Sequence, residues 1–301
     1  MPENIFHTLD LNFMGLPGTI AAYLLPHRSG AVLVECGPGS TVPALRSGLE
    51  QHGYSPADIT DLLLTHIHLD HAGAAGWLAR QGARVHVHSV GAPHLLNPEK
   101  LLSSAARIYG DMMDTLWGEF LPVPDEQLSV LSDGEVVEID DLRFRAIDTP
   151  GHADHHFAYL HEDVLFSGDI GGVRLGGVRH IRLPMPPPEF HLERWYLSLE
   201  RLRQESFTRI APTHFGIHTD AEWHLATVQQ DLDEVRDWME NLLPQNPAFE
   251  ELNARFLDWT RQRSTREGVD QATIQAYETA NPSWMSTYGV QRYWSKYRQP
   301  A

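Results

Sequence analysis

The chain has 301 residues, 42% apolar and 21% charged, enough to bury a core without disulfide staples and too apolar for wholesale disorder. Lys and Arg total 23 against 40 Asp and Glu, a net charge of −17 that argues against sequence-independent binding to nucleic acid or to an anionic membrane. One cysteine, Cys36, excludes an intramolecular disulfide and a Cys-rich zinc module, whereas 18 histidines raise the question of their arrangement.

Residues 1–18 carry Glu3, His7 and Asp10 where an export signal needs a basic start and an apolar run, so no signal peptide is expected. No run of about 18 apolar residues occurs, so no membrane span is expected, and the chain reads as cytoplasmic. Apolar strands over 19–25 and 31–34 flank a turn at 27–30. Ser40 or Thr41 can cap a helix running to about His52. A short apolar strand over 61–65, a helix over 72–80 and a strand over 83–88 follow the order of βαβ units. Residues 92–120 read as mostly helical. Short strands are expected over 135–139, 142–148, 157–160 and 164–166. Residues 171–188 hold four glycines and four prolines, an irregular loop of a length that is usually functional or mobile. A helix over 190–204 and a last strand over 208–212 complete this part. From Ala221 the strand pattern stops, and Leu225, Val228, Leu232, Val235, Trp238 and Leu242 recur at steps of three and four, an amphipathic helix. The expected organisation is a catalytic domain over 1–220 and a helical extension over 221–301, packed on it or capping it.

The strand over 61–65 runs into Thr65-His66-Ile67-His68-Leu69-Asp70-His71. In extended chain His66 and His68 point to one side, and Asp70 continues that series. His71 falls where the chain turns into the next helix. Four candidate ligands thus converge at a strand end from two directions, which suits two metals better than one. Neutral imidazole and carboxylate are ligands that borderline metals such as zinc accept. Three later segments repeat the arrangement: His152 closes Asp148-Thr149-Pro150-Gly151-His152, Asp169 closes Phe166-Ser167-Gly168-Asp169, and His214 closes Pro212-Thr213-His214. Each sits just past a strand, where open α/β sheets build sites. A single His or Asp there is commonly a cap or turn residue, but His-x-His-x-Asp-His with three further strand-end ligands is not accounted for in that way.

These motifs, from His-x-His-x-Asp-His through Gly-His, Gly-Asp and Thr-His, resemble the metallo-β-lactamase superfamily over residues 19 to about 218. The resemblance implies an α/β fold: a four-layer αββα sandwich with metals at one edge, here with a C-terminal helical extension. It implies that His66, His68 and His152 hold one metal, that Asp70, His71 and His214 hold a second, and that Asp169 bridges both. The segment around His152 is similar to glyoxalase II-like hydrolases, and the Pro-Thr-His-Phe-Gly segment with its helical tail resembles a further bacterial branch. The short run from Asp169 to His214 leaves no room for the domain that nucleic-acid-processing members insert there. Glu35 departs from the pattern, since relatives often carry Asp, and reads as a supporting residue.

The expected cofactors are two divalent ions, zinc first, with manganese or iron as alternatives. Two ions sharing a water lower its pKa from ~15.7 toward 7, and the resulting hydroxide is the expected nucleophile on an ester, thioester or lactone. Phosphodiester or phosphotriester cleavage on the same site is one alternative; a non-haem iron oxygenase of the persulfide dioxygenase type is the alternative from another class. Asp70 is the expected proton acceptor. Glu35, Asp148 and Thr65 are candidates to orient the ligating histidines. The expected partner is a small molecule, anionic if Arg174, Arg179 and Arg182 grip it, although those arginines can instead pair with local carboxylates. Residues 185–188 read as a rigid pocket wall or as a connector. His155, His156 and His218 read as incidental or supporting, His86 and His88 as surface or structural, and Cys36 as a small packed side chain. The tryptophan- and tyrosine-rich tail reads as a helical layer, with a cap over the site or a dimer surface as alternatives. No glycine-rich nucleotide motif is present.

Overall fold

The computed structural model describes residues 6–176 and 178–299. The segment read for an export signal extends into residues 1–5, and the long glycine-rich loop includes Gly177; these lie outside the described residues.

Among the described residues, eleven strands form two sheets. The first takes β1 His7–Asp10, β2 Ala21–His27, β3 Gly30–Val34, β4 Ile59–Leu63, β5 Arg84–His88 and β6 Leu128–Leu131, in that spatial order. Its first three strands are antiparallel and its last four run parallel, the crossovers supplied by helices α1 Val42–Gln51, α2 Leu69–Ala72, α3 Ala75–Ala79, α4 Ala92–Leu96, α5 Glu99–Tyr109 and α6 Met113–Trp117. The second sheet has the order β11-β10-β9-β8-β7, from β7 Val136–Ile139, β8 Leu142–Asp148, β9 Phe157–His161, β10 Val164–Phe166 and β11 Arg209–Ala211. Helices α7 Leu192–Leu202, α8 Ala221–Leu242, α9 Phe249–Arg266, α10 Gln271–Ala280 and α11 Ser283–Tyr297 follow.

Strand alternation explains the layers. Along β2, Ala21, Tyr23 and Leu25 face the second sheet, packing with Phe144, Phe157 and Phe166, while Ala22 and Leu24 face the outer helices with Leu45 and Leu78. Both faces of this sheet are therefore buried. Beyond the second sheet, Ile147, Ala158, Leu165 and Ile210 pack against Trp195 of α7 and Val228 and Leu232 of α8. The fold is the αββα sandwich. Helix α8 begins at Ala221, and it shares one core with the second sheet rather than making a core of its own. No described helix is long and apolar enough to cross a membrane.

Several elements differ from the sequence reading. β1 and β6 were not expected; they are four-residue strands with half-buried positions that the adjoining strands order by pairing. Residues 92–120, read as mostly helical, divide into three α-helices, because Pro98 precedes α5 and Gly110 ends it at a φ of +51°.

Candidate metal centre

The candidate ligands lie on the loops and turns that follow strands. β4 stops at Leu63, and the next residues bring His66 and His68 out of the sheet edge. His68 is the extended residue before α2, so Asp70 is already on the first helical turn rather than continuing the strand alternation. Two glycines place the later ligands. Gly151, at a φ of +141°, lies so close to α7 that a Cβ would sit 2.5 Å from the Trp195 Cα. Gly168, at +51°, puts its would-be Cβ 2.6 Å from both the Thr65 hydroxyl and His156 Nε2. Only glycine fits before His152 and Asp169 in this geometry.

Two groups of three result, each with ligand atoms within 4.8 Å of one another: His66, His68 and His152, and Asp70, His71 and His214. In the first, His152 Nε2 lies 3.2 Å from His66 Nε2 and 2.9 Å from His68 Nδ1. In the second, Asp70 Oδ2 lies 3.6 Å from His71 Nε2 and 3.5 Å from His214 Nε2. Asp169 stands between them, Oδ2 3.4 Å from His152 Nε2 and Oδ1 3.4 Å from His71 Nε2. All seven predicted ligands thus meet at one place.

The rear of each ring is fixed. His152 Nδ1 donates to the Pro184 carbonyl at 2.8 Å and His214 Nδ1 to the Thr19 carbonyl at 2.7 Å, so each Nε2 presents a lone pair to the centre. His71 Nδ1 faces Glu35 Oε1 at 3.1 Å, and its Nε2 and Asp169 Oδ1 are buried with no hydrogen-bond partner. Those two atoms facing each other out of water are costly unless a proton or a metal cation lies between them. This donor set fits a divalent metal.

The charge balance agrees. Burial pushes His71 down, but Asp70, Asp169 and Glu35 around it outweigh that and hold it well above the ordinary histidine value, so this half of the centre favours positive charge. Burial, with His152 and His155 nearby, pushes His68 down to about 3, and burial with the neighbouring histidines pushes His66 well down. Those imidazoles are neutral, the form that ligates. Burial raises Asp70, yet His71 and His214 beside it prevail and hold its carboxyl below the usual range.

Glu35 is the central support. Its Oε1 accepts from Thr65, from His71 Nδ1, and from the Thr213 hydroxyl at 3.0 Å. His66 Nδ1 faces the Thr65 hydroxyl at 3.1 Å. Of the three expected supports, Asp148 is elsewhere: it pairs with His88 at 3.2 Å, since β8 ends beside β5 rather than at the ligands. His156 does more than the sequence suggested. It is fully buried, and its Nε2 accepts from the Asp169 N–H at 3.1 Å while Nδ1 donates to Thr149 at 2.8 Å. His155 pairs with Glu189 at 3.2 Å beside His68. Of the incidental and supporting readings the sequence left open for these two, the contacts fit the supporting one. His218 and His86 serve structure, donating to the Phe215 carbonyl and to Asp61.

Above the ligands opens a cavity of about 740 Å³, onto which His68, Asp70, His152, Asp169 and His214 face. Residues 184–188 form one wall, as the pocket-wall reading has it, and Asn281, Trp284 and Met285 from the extension form another. The arginines expected to grip a substrate are a correction. Arg174 and Arg179 bind Asp220 at 2.6 and 3.1 Å, and Arg182 binds Glu278 at 2.7 Å. None of the three lines the cavity, because Asp220, just before the extension, and Glu278 within it supply their partners.

Comparison with known proteins accords with this geometry. A family profile described as "Metallo-beta-lactamase superfamily" matches residues 15–214. The solved structure of an archaeal metallo-beta-lactamase superfamily protein, ST1585 from Sulfolobus tokodaii, superposes with a TM-score of 0.62 at 25% identity, covering 76% of this chain and 86% of that one. Hydroxyacylglutathione hydrolase of Ectopseudomonas mendocina is 26% identical over 275 residues, 85% of this chain and 87% of that protein. Atrochrysone carboxyl ACP thioesterase of Aspergillus fumigatus is 30% identical over 160 residues, 52% of this chain and 41% of that protein. The profile spans the sandwich from before β2 to His214, and the chain belongs to the metallo-beta-lactamase superfamily.

Proposed function

We propose that this metal-dependent hydrolase holds two divalent ions, zinc before manganese or iron, and cleaves an ester, thioester or lactone. The observation that carries the reading is Asp169, with one carboxylate oxygen toward each ligand triad and the inner one left without a hydrogen bond. His66, His68 and His152 would hold one ion, Asp70, His71 and His214 the other. When bound, such ions supply Lewis acidity and bring the pKa of a bound water from ~15.7 toward 7.

The chain's own groups do the rest. Asp70 is the more open of the two central carboxylates, its side chain 21% exposed against 5% for Asp169, and it faces the cavity. It stays ionised at neutral pH and takes the proton of the attacking water. The carbonyl carbon gains a C–O bond, the C–S or C–O bond to the leaving group breaks, and that proton ends on the leaving thiolate or alkoxide. Glu35, Thr65 and His156 hold His71, His66 and the Asp169 turn in place through this cycle.

Two relatives whose names are a thioesterase and an acylglutathione hydrolase support an acyl bond over a phosphoester. So does the cavity lining, where Lys100 is the sole lysine or arginine among the described residues; phosphoryl groups are usually met by several cations. The test is a panel of acetyl ester, acetyl thioester, lactone and phosphodiester substrates with the purified protein. Acyl cleavage is expected, and Asp70→Asn is expected to lower kcat by about 100-fold or more. Cleavage of the phosphodiester alone, or full activity in Asp70→Asn with metal retained, would contradict the reading.

A further inference from the structure

The cavity beside the ligands is larger and more apolar than the bond chemistry requires. Its roughly 740 Å³ is the size of a site that encloses a whole small ligand. Helix α5 turns Leu101, Ala105 and Ile108 toward it, at the four- and three-residue steps that make one helix face. Leu116, Trp117 and Trp284 add to the apolar wall. The arginines of the long loop are turned to the extension, and Lys100 is exposed. A polyanionic or sugar-like substrate would leave these walls unmatched, whereas a hydrocarbon chain would bury against them.

We propose that this cavity is an acyl chamber: the substrate's acyl group is an apolar chain of medium length, lying along α5 and Trp284 with its carbonyl at Asp70 and His214. This rests on the acyl-hydrolase reading above and names its substrate class. Ala105 is the specificity-determining position. It is buried at 8% exposure in the middle of the α5 face, so a larger side chain there shortens the chamber.

The experiment measures kcat/KM for acetyl, hexanoyl and decanoyl thioesters of one thiol, N-acetylcysteamine, and in parallel the calorimetric affinity for acetate, hexanoate and decanoate. Each buried methylene is worth up to about fourfold, so decanoyl over acetyl is expected to exceed about 100-fold even if half of the chain is buried. Ala105→Phe is expected to cut the decanoyl-to-acetyl ratio by about tenfold or more. Ser104→Phe, on the same helix at an exposed position, carries the same test if Ala105→Phe does not fold. Chain-length-independent hydrolysis with equal affinity for the three carboxylates overturns the chamber and leaves the hydrolase reading standing. Tight decanoate binding, weakened in the Phe variants, with no thioester cleaved at any length, keeps the chamber and overturns the reading of the bond.

Discussion

At the scale of single residues, Glu35 ties together three motif segments that lie far apart in sequence. Its carboxylate reaches Thr65, His71 and Thr213, and its backbone sits at a φ of +67°, a strained conformation for a non-glycine residue that the surrounding bonds enforce. Removing it frees the His71 ring and, through Thr65, the His66 ring. Glu35→Ala is expected to weaken metal binding by about 10–100-fold in chelator competition; unchanged affinity would mean the histidines hold their positions without it. Gly168 makes a second residue-scale test. Gly168→Ala places a Cβ on Thr65 and His156 and strains the turn that carries Asp169. A loss of about 1–3 kcal/mol by chemical denaturation is expected, with metal retention reduced. The seven candidate ligands were legible as a convergent set because each follows a strand at a recognisable spacing. His156 was not, since its role depends on the start of β9 lying beside the turn at 168–171, a proximity that only the folded sheet creates.

At the scale of elements, the loop over 171–188 shows why its arginines pair with carboxylates, the alternative the sequence left open, rather than grip a substrate. Basic residues beside a candidate metal site in an acidic chain suggest an anion grip, but Asp220, just before α8, and Glu278 on α10 are nearer in the fold. Asp220, the residue before α8, receives Arg174 and Arg179. The hydrogen bond from Arg174, opposed by partial burial and aided by the charge of both arginines, brings its carboxyl from 3.8 to about 2. A depressed folded-state pKa means that the stabilisation is complete above about pH 4 and is lost as pH falls toward 2. Asp220→Asn is therefore expected to cost roughly 1 kcal/mol near neutral pH after solvent screening, and nothing near pH 2. A pH-independent difference between the two proteins would assign the effect to the helix start instead. β2, a continuous apolar run buried on both faces, and β8, which alternates, were readable because burial sets their patterns; β1 and β6 owe their order to their neighbours.

At the scale of the molecule, the extension completes both the sandwich and the cavity. Gly289 of α11 lies against the Met185 carbonyl, where a Cβ would come within 1.8 Å, and Asn281 donates to the Leu183 carbonyl at 3.1 Å. The same loop carries the Pro184 carbonyl that fixes His152, so the helices, the cavity wall and a ligand form one connected unit. The helical character of 225–242 was plain in its periodicity; which face it covers was not, because amphipathicity shows that a side is buried and not against what. Gly289→Val is expected to destabilise by about 1–3 kcal/mol and to raise KM for long-chain substrates. An effect on stability with KM unchanged would separate the wall from the cavity.

Metal content is the claim on which the site depends. On the proposed reading the two donor clusters joined by Asp169 hold one cation each, so protein purified without chelator or a metal-binding tag, analysed by mass spectrometry, is expected to carry two equivalents of a divalent metal, zinc foremost. Stripping them with a chelator is expected to lower Tm, since ions that bind the folded state alone stabilise it by mass action. One equivalent of iron with no second metal would contradict the account: Asp70, His71 and His214 would not be ligands together, and oxygen uptake would replace hydrolysis as the activity to assay.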